Sequence, residues 1–458
     1  MKNILQIGAG KSTSYLIKYL EEQSAKQNFQ YIIADRDLSL PRKILHENTN
    51  VRLEELDIFD ETKRRELIRS ADLIVSMLPA RFHIMIAKDA LAFGKNLVTA
   101  SYISDEMKAL EPEIKAKGLL FLNEIGLDPG IDHMSAMKTI HHIQENGGKV
   151  VLFESFTGGL VAPESDDNLW HYKFTWNPRN VVLAGQGGVA KFLHAGKYKY
   201  IPYQKLFTRT EFFEIEGYGK FEAYPNRDSL KYQSIYGLDD VQTFYRGTIR
   251  RPGFSRAWNI FVQLGMTDDT YIMEDSENMT PRDFLDSFLP YSPYDRVETR
   301  LRVHAGIPQN DEVWFKLEEL DLFDHTKKIG LKNATPAQIL QKILEEKWTL
   351  KPEDKDMIVM YHKFGYRSGD QKRQINAYLV VTGEDRIFTA MAKTVGLPLG
   401  IAAVKMLKGE FRLTGVHLPI HKEIYEPVLK ELERYGIVFT EKEVPLQCYN
   451  PDYMKNMG

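Results

Sequence analysis

Glu124, Asp128, Asp132 and His133 fall within ten residues of one another in the stretch NEIGLDPGIDHMSAMKTI, interleaved with Gly126, Pro129 and Gly130. Carboxylates and an imidazole at this density suit general acid-base chemistry or metal ligation. No second ligand cluster at helical spacing accompanies them, so no metal is expected. The Pro129-Gly130 pair dictates a turn, and Asp132 is then expected to cap a helix running from Met134 to Gln144. That gives Asp132 a structural duty. Asp128 has none, which makes it the catalytic candidate of the cluster.

A second constellation opens the chain, where IGAGKST carries half of two phosphate-binding motifs. A P-loop needs a glycine five positions before its last one, and Leu5 stands there. A dinucleotide turn needs Gly8 for the tight bend and Gly10 for close approach of the pyrophosphate, and both are present. Lys11 and Ser12 would begin the following helix, with the backbone amides of residues 10–13 and the Thr13 hydroxyl facing the pyrophosphate. Asp35, after the second apolar run, is the right type to accept from an adenosine ribose. The adjacent Arg36 suits a 2'-phosphate, so the pair favours NADP while leaving NAD open. Asp57-Ile58 is expected near the adenine, and Leu78-Pro79 along the pyrophosphate and nicotinamide.

The third constellation is basic and aromatic. Lys173 sits between Tyr172 and Phe174, with Trp176 close by, and Arg227, Arg246, Arg250 and Arg251 follow among tyrosines. Converging guanidinium groups bind carboxylates in bidentate fashion, so this segment suits a ligand carrying more than one of them.

The elements that must position these groups follow from the periodicity. Short apolar runs at ILQI, YIIA, VRLEEL, LIVSML, NLVTA and LLFLN alternate with amphipathic stretches, which predicts six strands of a doubly wound α/β sheet over residues 1–123. Residues 124–280 and 351–389 read as a mixed-sheet α+β catalytic domain, with strands predicted over Thr208 to Tyr218 and Gln242 to Thr248. Residues 281–350 read as a helical subdomain, two of whose helices open on Thr-Pro. Residues 390–458 carry an apolar buried helix, too interrupted for a membrane span, and a last amphipathic helix that packs back on the first domain.

Composition narrows the function class. Sixty basic against 63 acidic residues leave a net charge of −3, which gives nucleic acid or acidic lipid little to hold. The single cysteine, Cys448, precludes an intramolecular disulfide and any cysteine-ligated cluster, consistent with a cytoplasmic protein.

Over nearly its whole length the chain resembles the saccharopine reductase family, the NADP-dependent, glutamate-forming saccharopine dehydrogenases. The likeness rests on GAG with Thr13, TASYIS, NEIGLDPGIDHMSAMKTI, GGLVAPESDDNLWHYKFTW, AYPNRDSL, FYRGTIRRPGF, AKTVGLPLGIAA and GVHLPIHKEIYEPVLKEL. The resemblance implies reversible reduction of the imine of α-aminoadipate semialdehyde and L-glutamate to saccharopine, by a homodimer acting on small amino acids. It places Tyr102 and Asp128 near the reacting carbon, Arg227 on a substrate carboxylate, Ala100 beside the cofactor and Ser101 beside the substrate. Thr157 stands where the family often has cysteine, so a thiol acid is excluded; Thr157, Lys173 and Arg246 complete the expected substrate set. Alternatives are an imine reductase of the carboxynorspermidine or lysine 6-dehydrogenase kind, which for a polyamine product would need an acidic pocket, and a non-catalytic dinucleotide sensor.

Overall fold

The computed structural model describes residues 1–47 and 49–446; Cys448 lies outside them. The chain divides into two compact units, Met1–Lys149 with Leu379–Thr440, and Val150–Tyr378 with the described residues from Glu441 onward. The division at Lys149 falls later than the expected end of the first domain at residue 123. The polar stretch around Asp128 is therefore part of the nucleotide-binding unit. Residues 281–350 form no separate unit, and residues 441–446 join the second one.

In the first unit six parallel strands, β1 (Asn3–Ile7), β2 (Gln30–Asp35), β3 (Arg52–Glu55), β4 (Leu73–Ser76), β5 (Asn96–Thr99) and β6 (Leu120–Leu122), run in the order β6-β5-β4-β1-β2-β3. This is the dinucleotide-binding order, whose direction reverses between β1 and β4. A seventh strand, Gly415–His417, pairs in parallel with β6. Three residues are too few for alternation to reveal a strand. Ile4, Leu5, Ile7, Ile74 and Val75 are at 0% exposure, as expected of a sheet covered on both faces.

The helix Ser14–Gln27 starts after a single 3-10 turn, Lys11–Thr13, and packs on the long helix Ala390–Lys408. The latter is the one described helix long and apolar enough to cross a membrane, but most of its surface is buried within the protein. The helix Lys422–Leu432 also belongs to this unit and packs on Ile131–Glu145, where Tyr425 meets His141 at 2.8 Å and Lys422 meets Glu145 at 2.9 Å.

The second unit is built on a mixed sheet of β7 (Lys149–Val161), β8 (Ala190–His194), β9 (Lys197–Ile201), β10 (Glu211–Ile215), β11 (Gly219–Pro225), β12 (Thr243–Arg250), β13 (Asp356–Ser368) and β14 (Gln371–Thr382). The order is β10-β11-β12-β7-β13-β14, continued by Thr440–Pro445, with the β8-β9 hairpin attached to β12. β12 is parallel to β7 and antiparallel to β11. The strand predicted over Thr208 to Tyr218 is shorter at both ends: Tyr203–Thr208 is a 3-10 turn, and only Glu211–Ile215 pairs. Both Thr-Pro starts form reciprocal caps. Thr280 and Thr335 hold the third-residue amides of Pro281–Asp286 and Pro336–Trp348, while Asp283 and Gln338 reach back. Trp170, Trp258 and Trp348 are fully buried, and the Trp170 indole N–H donates to the Lys316 carbonyl at 2.7 Å.

Candidate active site

All strands of the first sheet point the same way, so the connections after β1 to β5 emerge on one edge. Those connections carry Gly8 to Thr13, Asp35-Arg36, Asp57-Ile58, Leu78-Pro79 and Ala100 to Tyr102. At Gly8 (φ +101) a β-carbon would lie 2.6 Å from the Met77 carbonyl oxygen, so only glycine allows the loop after β1 to close on that after β4. A β-carbon at Gly10 would meet nothing within 4 Å, which leaves the outer face of the turn clear for a pyrophosphate. Thr13 does not serve that anion: it is buried, and its hydroxyl donates to the Gly10 carbonyl at 2.7 Å. Lys11 is exposed and Ser12 half-buried at the start of the turn.

Asp35 differs from its expected role on the ribose. One carboxylate oxygen accepts from the Ala9 amide at 2.6 Å and the other from the Asp37 amide at 2.8 Å, so the side chain ties β2 to the glycine turn. Arg36 is exposed beside it, and its guanidinium makes no ion pair among the described residues. An anchored aspartate next to an open arginine suits a 2'-phosphate. Asp57 accepts from the Phe59 amide at 3.0 Å, and Ile58 and Leu78 pack against the apolar core. Pro79 stays exposed and starts a 3-10 turn.

The loop Gly126–Gly130 is closed by the Gly126 amide donating to the Pro129 carbonyl at 2.9 Å and the Ile131 amide to the Gly126 carbonyl at 2.9 Å. Gly130 has φ +147, and a β-carbon there would lie 2.1 Å from the Gly126 carbonyl oxygen. No other residue fits. The Asp128-Pro129 peptide is cis. The helix starts at Ile131 with Gly130 as its cap, so Asp132 is not the expected cap; it sits inside the first turn and accepts from the Gly130 amide at 2.6 Å. The physical reason is reach: the turn closes two residues earlier than the Pro-Gly pair suggested, and Asp132 clamps it from within.

Glu124 and His133, the other members of the cluster, are buried and face each other at 3.0 Å, and the second Glu124 oxygen accepts from the Ile103 amide at 2.9 Å. With the Glu124 amide on the Ser101 carbonyl at 3.1 Å, this staples the segment after β5 to the Asp128 loop. The staple sets Tyr102, which is 39% exposed, so that its phenol donates to Asp128 at 3.3 Å. A phenol and a carboxyl in contact, both reachable by solvent or ligand, can hand a proton between them and a bound molecule.

In the second unit Thr157 on β7 is directly opposite Thr248 on β12, and Arg246, two residues from Thr248, shares that face. The Thr157 hydroxyl is buried with no hydrogen-bond partner among the described residues, so the position where the family often has a thiol offers an uncommitted alcohol. Arg246 is buried, with its guanidinium 4.6 Å from the Tyr232 ring centre. Arg227 is exposed at φ +44. The carboxylates nearest it in sequence are engaged elsewhere, Asp228 with Lys191 at 3.2 Å and Glu222 with the Gly253 and Ser255 amides at 2.9 and 2.6 Å.

Lys173 departs from expectation. It is buried between Asp167 and Asp354, at 2.7 Å from each, and Lys351 also pairs with Asp167. Its charge is neutralised within the fold, so it is not a free cation for substrate. Arg250 is likewise buried, caged by the rings of Tyr172, Phe254 and Tyr224 at 4.8, 5.1 and 5.8 Å. Burial outweighs that neighbouring cation and pushes the Tyr172 phenol up to about 12.

Residues 4–122 match the saccharopine dehydrogenase NADP binding domain, and residues 126–437 match the saccharopine dehydrogenase C-terminal domain. The chain belongs to the saccharopine dehydrogenase family. It is 32% identical over 451 residues to the L-glutamate-forming, NADP(+) saccharopine dehydrogenase of Saccharomyces cerevisiae, covering 97% of this chain and 99% of that protein. It is 35% identical over 452 residues to the mitochondrial α-aminoadipic semialdehyde synthase of Mus musculus, and there it spans only 47% of the relative's length. The apo saccharopine dehydrogenase (L-Glu forming) structure from S. cerevisiae superposes with a TM-score of 0.87 at 32% identity, covering 97% of this chain and all of that one. Saccharopine dehydrogenase family membership assigns the glycine turn to NADP, in accord with the open face at Gly10 and the unpaired Arg36.

Sequence reasoning did not single out His83, which lies between Ser76 and Ser101, nor the stapling role of Glu124. The only sequence signal for His83 is its place seven residues after a strand end, in a connection already expected to line the nicotinamide.

Proposed function

We propose that this chain is an NADP-dependent saccharopine dehydrogenase, reversibly interconverting saccharopine with L-glutamate and α-aminoadipate semialdehyde through the imine. What carries the reading is the Tyr102–Asp128 contact at 3.3 Å, held at the carboxyl ends of a dinucleotide-binding sheet. NADPH, when bound, supplies the hydride. The chain's own residues supply orientation and protons. The Gly8 to Ser12 turn receives the pyrophosphate, and Arg36 the 2'-phosphate. Asp128 and Tyr102 move the protons that carbinolamine formation and dehydration require. Arg227, with Arg246, binds substrate carboxylates. Thr157 offers an alcohol in place of a thiol, which serves for hydrogen bonding and leaves proton transfer to the Tyr102–Asp128 pair.

A related imine reductase making a polyamine product would need acidic groups where Arg227 and Arg246 stand, and the comparisons do not favour it. A non-catalytic dinucleotide sensor would have no use for the Tyr102–Asp128 contact. The proposal extends to a cytoplasmic homodimer with small amino acids as its only partners. The near balance of charges, which gives nucleic acid and membranes little to hold, supports the last point.

The test is to mix purified protein with NADPH, the semialdehyde and glutamate and to follow nicotinamide absorbance. Glutamate-dependent oxidation is the expected result. Turnover only with aspartate semialdehyde and a diamine would overturn it.

A further inference from the structure

His83, at the start of the helix His83–Ala92, is 5% exposed and bonded on both sides within the first unit. Its Nδ1 is 2.8 Å from the Ser76 hydroxyl at the end of β4, and its Nε2 is 2.7 Å from the Ser101 hydroxyl just past β5. Burial lowers its pKa to about 4, so the ring is neutral and has one donor and one acceptor nitrogen.

Ser76 decides which nitrogen is which. It is fully buried, and His83 Nδ1 is the only partner of its hydroxyl among the described residues. A buried donor left without an acceptor is costlier than a spare lone pair, so Ser76 donates to Nδ1 and Nε2 carries the proton. Thr99 competes poorly for the acceptor nitrogen, because its hydroxyl is 3.5 Å from either ring nitrogen against 2.8 Å for Ser76. Ser101 Oγ therefore accepts from Nε2, and its own proton is turned outward. The Ser101 backbone is held on the other side by the Glu124 amide.

We propose that His83 is a positioning residue whose Ser76-fixed Nε2–H tautomer makes Ser101 a hydrogen-bond donor aimed at an acceptor oxygen of a bound ligand. That oxygen belongs to the nicotinamide carboxamide or to a carboxylate of the amino acid. The choice of ligands rests on the function proposed above; the tautomer does not.

Two measurements test it. In protein labelled with 15N-histidine, the resonance missing from His83→Gln should show a protonated Nε2 and an unprotonated Nδ1, unchanged between pH 6 and 8. A protonated Nδ1, or an imidazolium at pH 7, overturns the inference whether or not saccharopine is turned over. Kinetically, His83→Leu removes the donor and should raise one KM about tenfold with a smaller change in kcat, the scale of one hydrogen bond. A rise for NADP(+) assigns the carboxamide, and a rise for saccharopine the carboxylate. Ser101→Ala should reproduce that rise, and the double variant should add nothing to it. His83→Gln, which restores an N–H, should recover part of it. Fully additive variants, a Gln variant no better than Leu, or a folded His83→Leu with both KM values unchanged would overturn the proposal.

Discussion

The acidic cluster of the first unit and the basic cluster of the second differ in how far along the chain their partners lie. Around Asp128, Glu124 and Asp132 are locked by near neighbours: the Ile103 and Gly130 amides and, for Glu124, His133. In the second unit Lys173 is locked by the nearby Asp167 together with Asp354, 181 residues away, and Arg250 by rings from β11, from the loop before Pro178 and from the helix Phe254–Leu264. Of the remaining members, Asp128 is half-buried and accepts from the Tyr102 phenol at 3.3 Å, and Arg227 is exposed. Density of charge in the sequence therefore marks a site without saying which of its members serve it, because the fold must first satisfy most of them.

Variants at Asp128 and Lys173 separate the ligand-facing role from the structural one. Asp128→Asn keeps the shape of the loop and removes the proton carrier, so turnover should fall about a hundred- to ten-thousand-fold, the usual range for a general acid or base, while NADPH titration by fluorescence changes little. Equal loss of both would place Asp128 with its structural neighbours. Lys173→Met leaves Asp354 buried without its cation and should cost about 3–5 kcal/mol in urea denaturation. If stability held and only the saccharopine KM rose, Lys173 would be a ligand-binding residue after all.

Smaller effects sharpen the contrast. Arg227→Met should raise the KM for the amino-acid substrate about ten- to a hundredfold, as loss of a charged hydrogen bond does, and leave the thermal midpoint within a degree or two because its side chain is exposed. A large drop in that midpoint would show that the arginine belongs to the fold. Arg36→Ala should weaken NADPH about tenfold and leave NADH unaffected, measured by titrating each dinucleotide. Equal weakening of both would remove Arg36 from the 2'-phosphate.

Five of the six N-terminal strands were legible because parallel strands buried on both faces are continuous apolar runs; β3, RLEE at the sheet edge, is only partly buried and was legible from the alternation of elements around it. The two Thr-Pro helix starts were legible because capping is local chemistry. Asp132 was misplaced by two residues in a turn whose closure depends on Gly126 and Gly130 meeting face to face. Asp35 was read as a ribose ligand because nothing in the sequence shows that the Ala9 amide folds back upon it. Gly415–His417 joins the sheet some 290 residues after the strand it pairs with, and no short-range pattern announces such a partner.

Sequence alone determined the dinucleotide turn, since Gly8 and Gly10 with Leu5 five positions before Gly10 admit one phosphate motif and exclude the other. It also determined, through NEIGLDPGIDH and its companion stretches, the family and the pairing of Tyr102 with Asp128 as candidates. Tertiary structure decided which charges remain for chemistry. It buried Lys173 between two aspartates, turned Asp35 inward and wired Ser101 to a neutral His83. The reason is that a charge is made available or consumed by what surrounds it, and most of those surroundings arrive from distant parts of the chain.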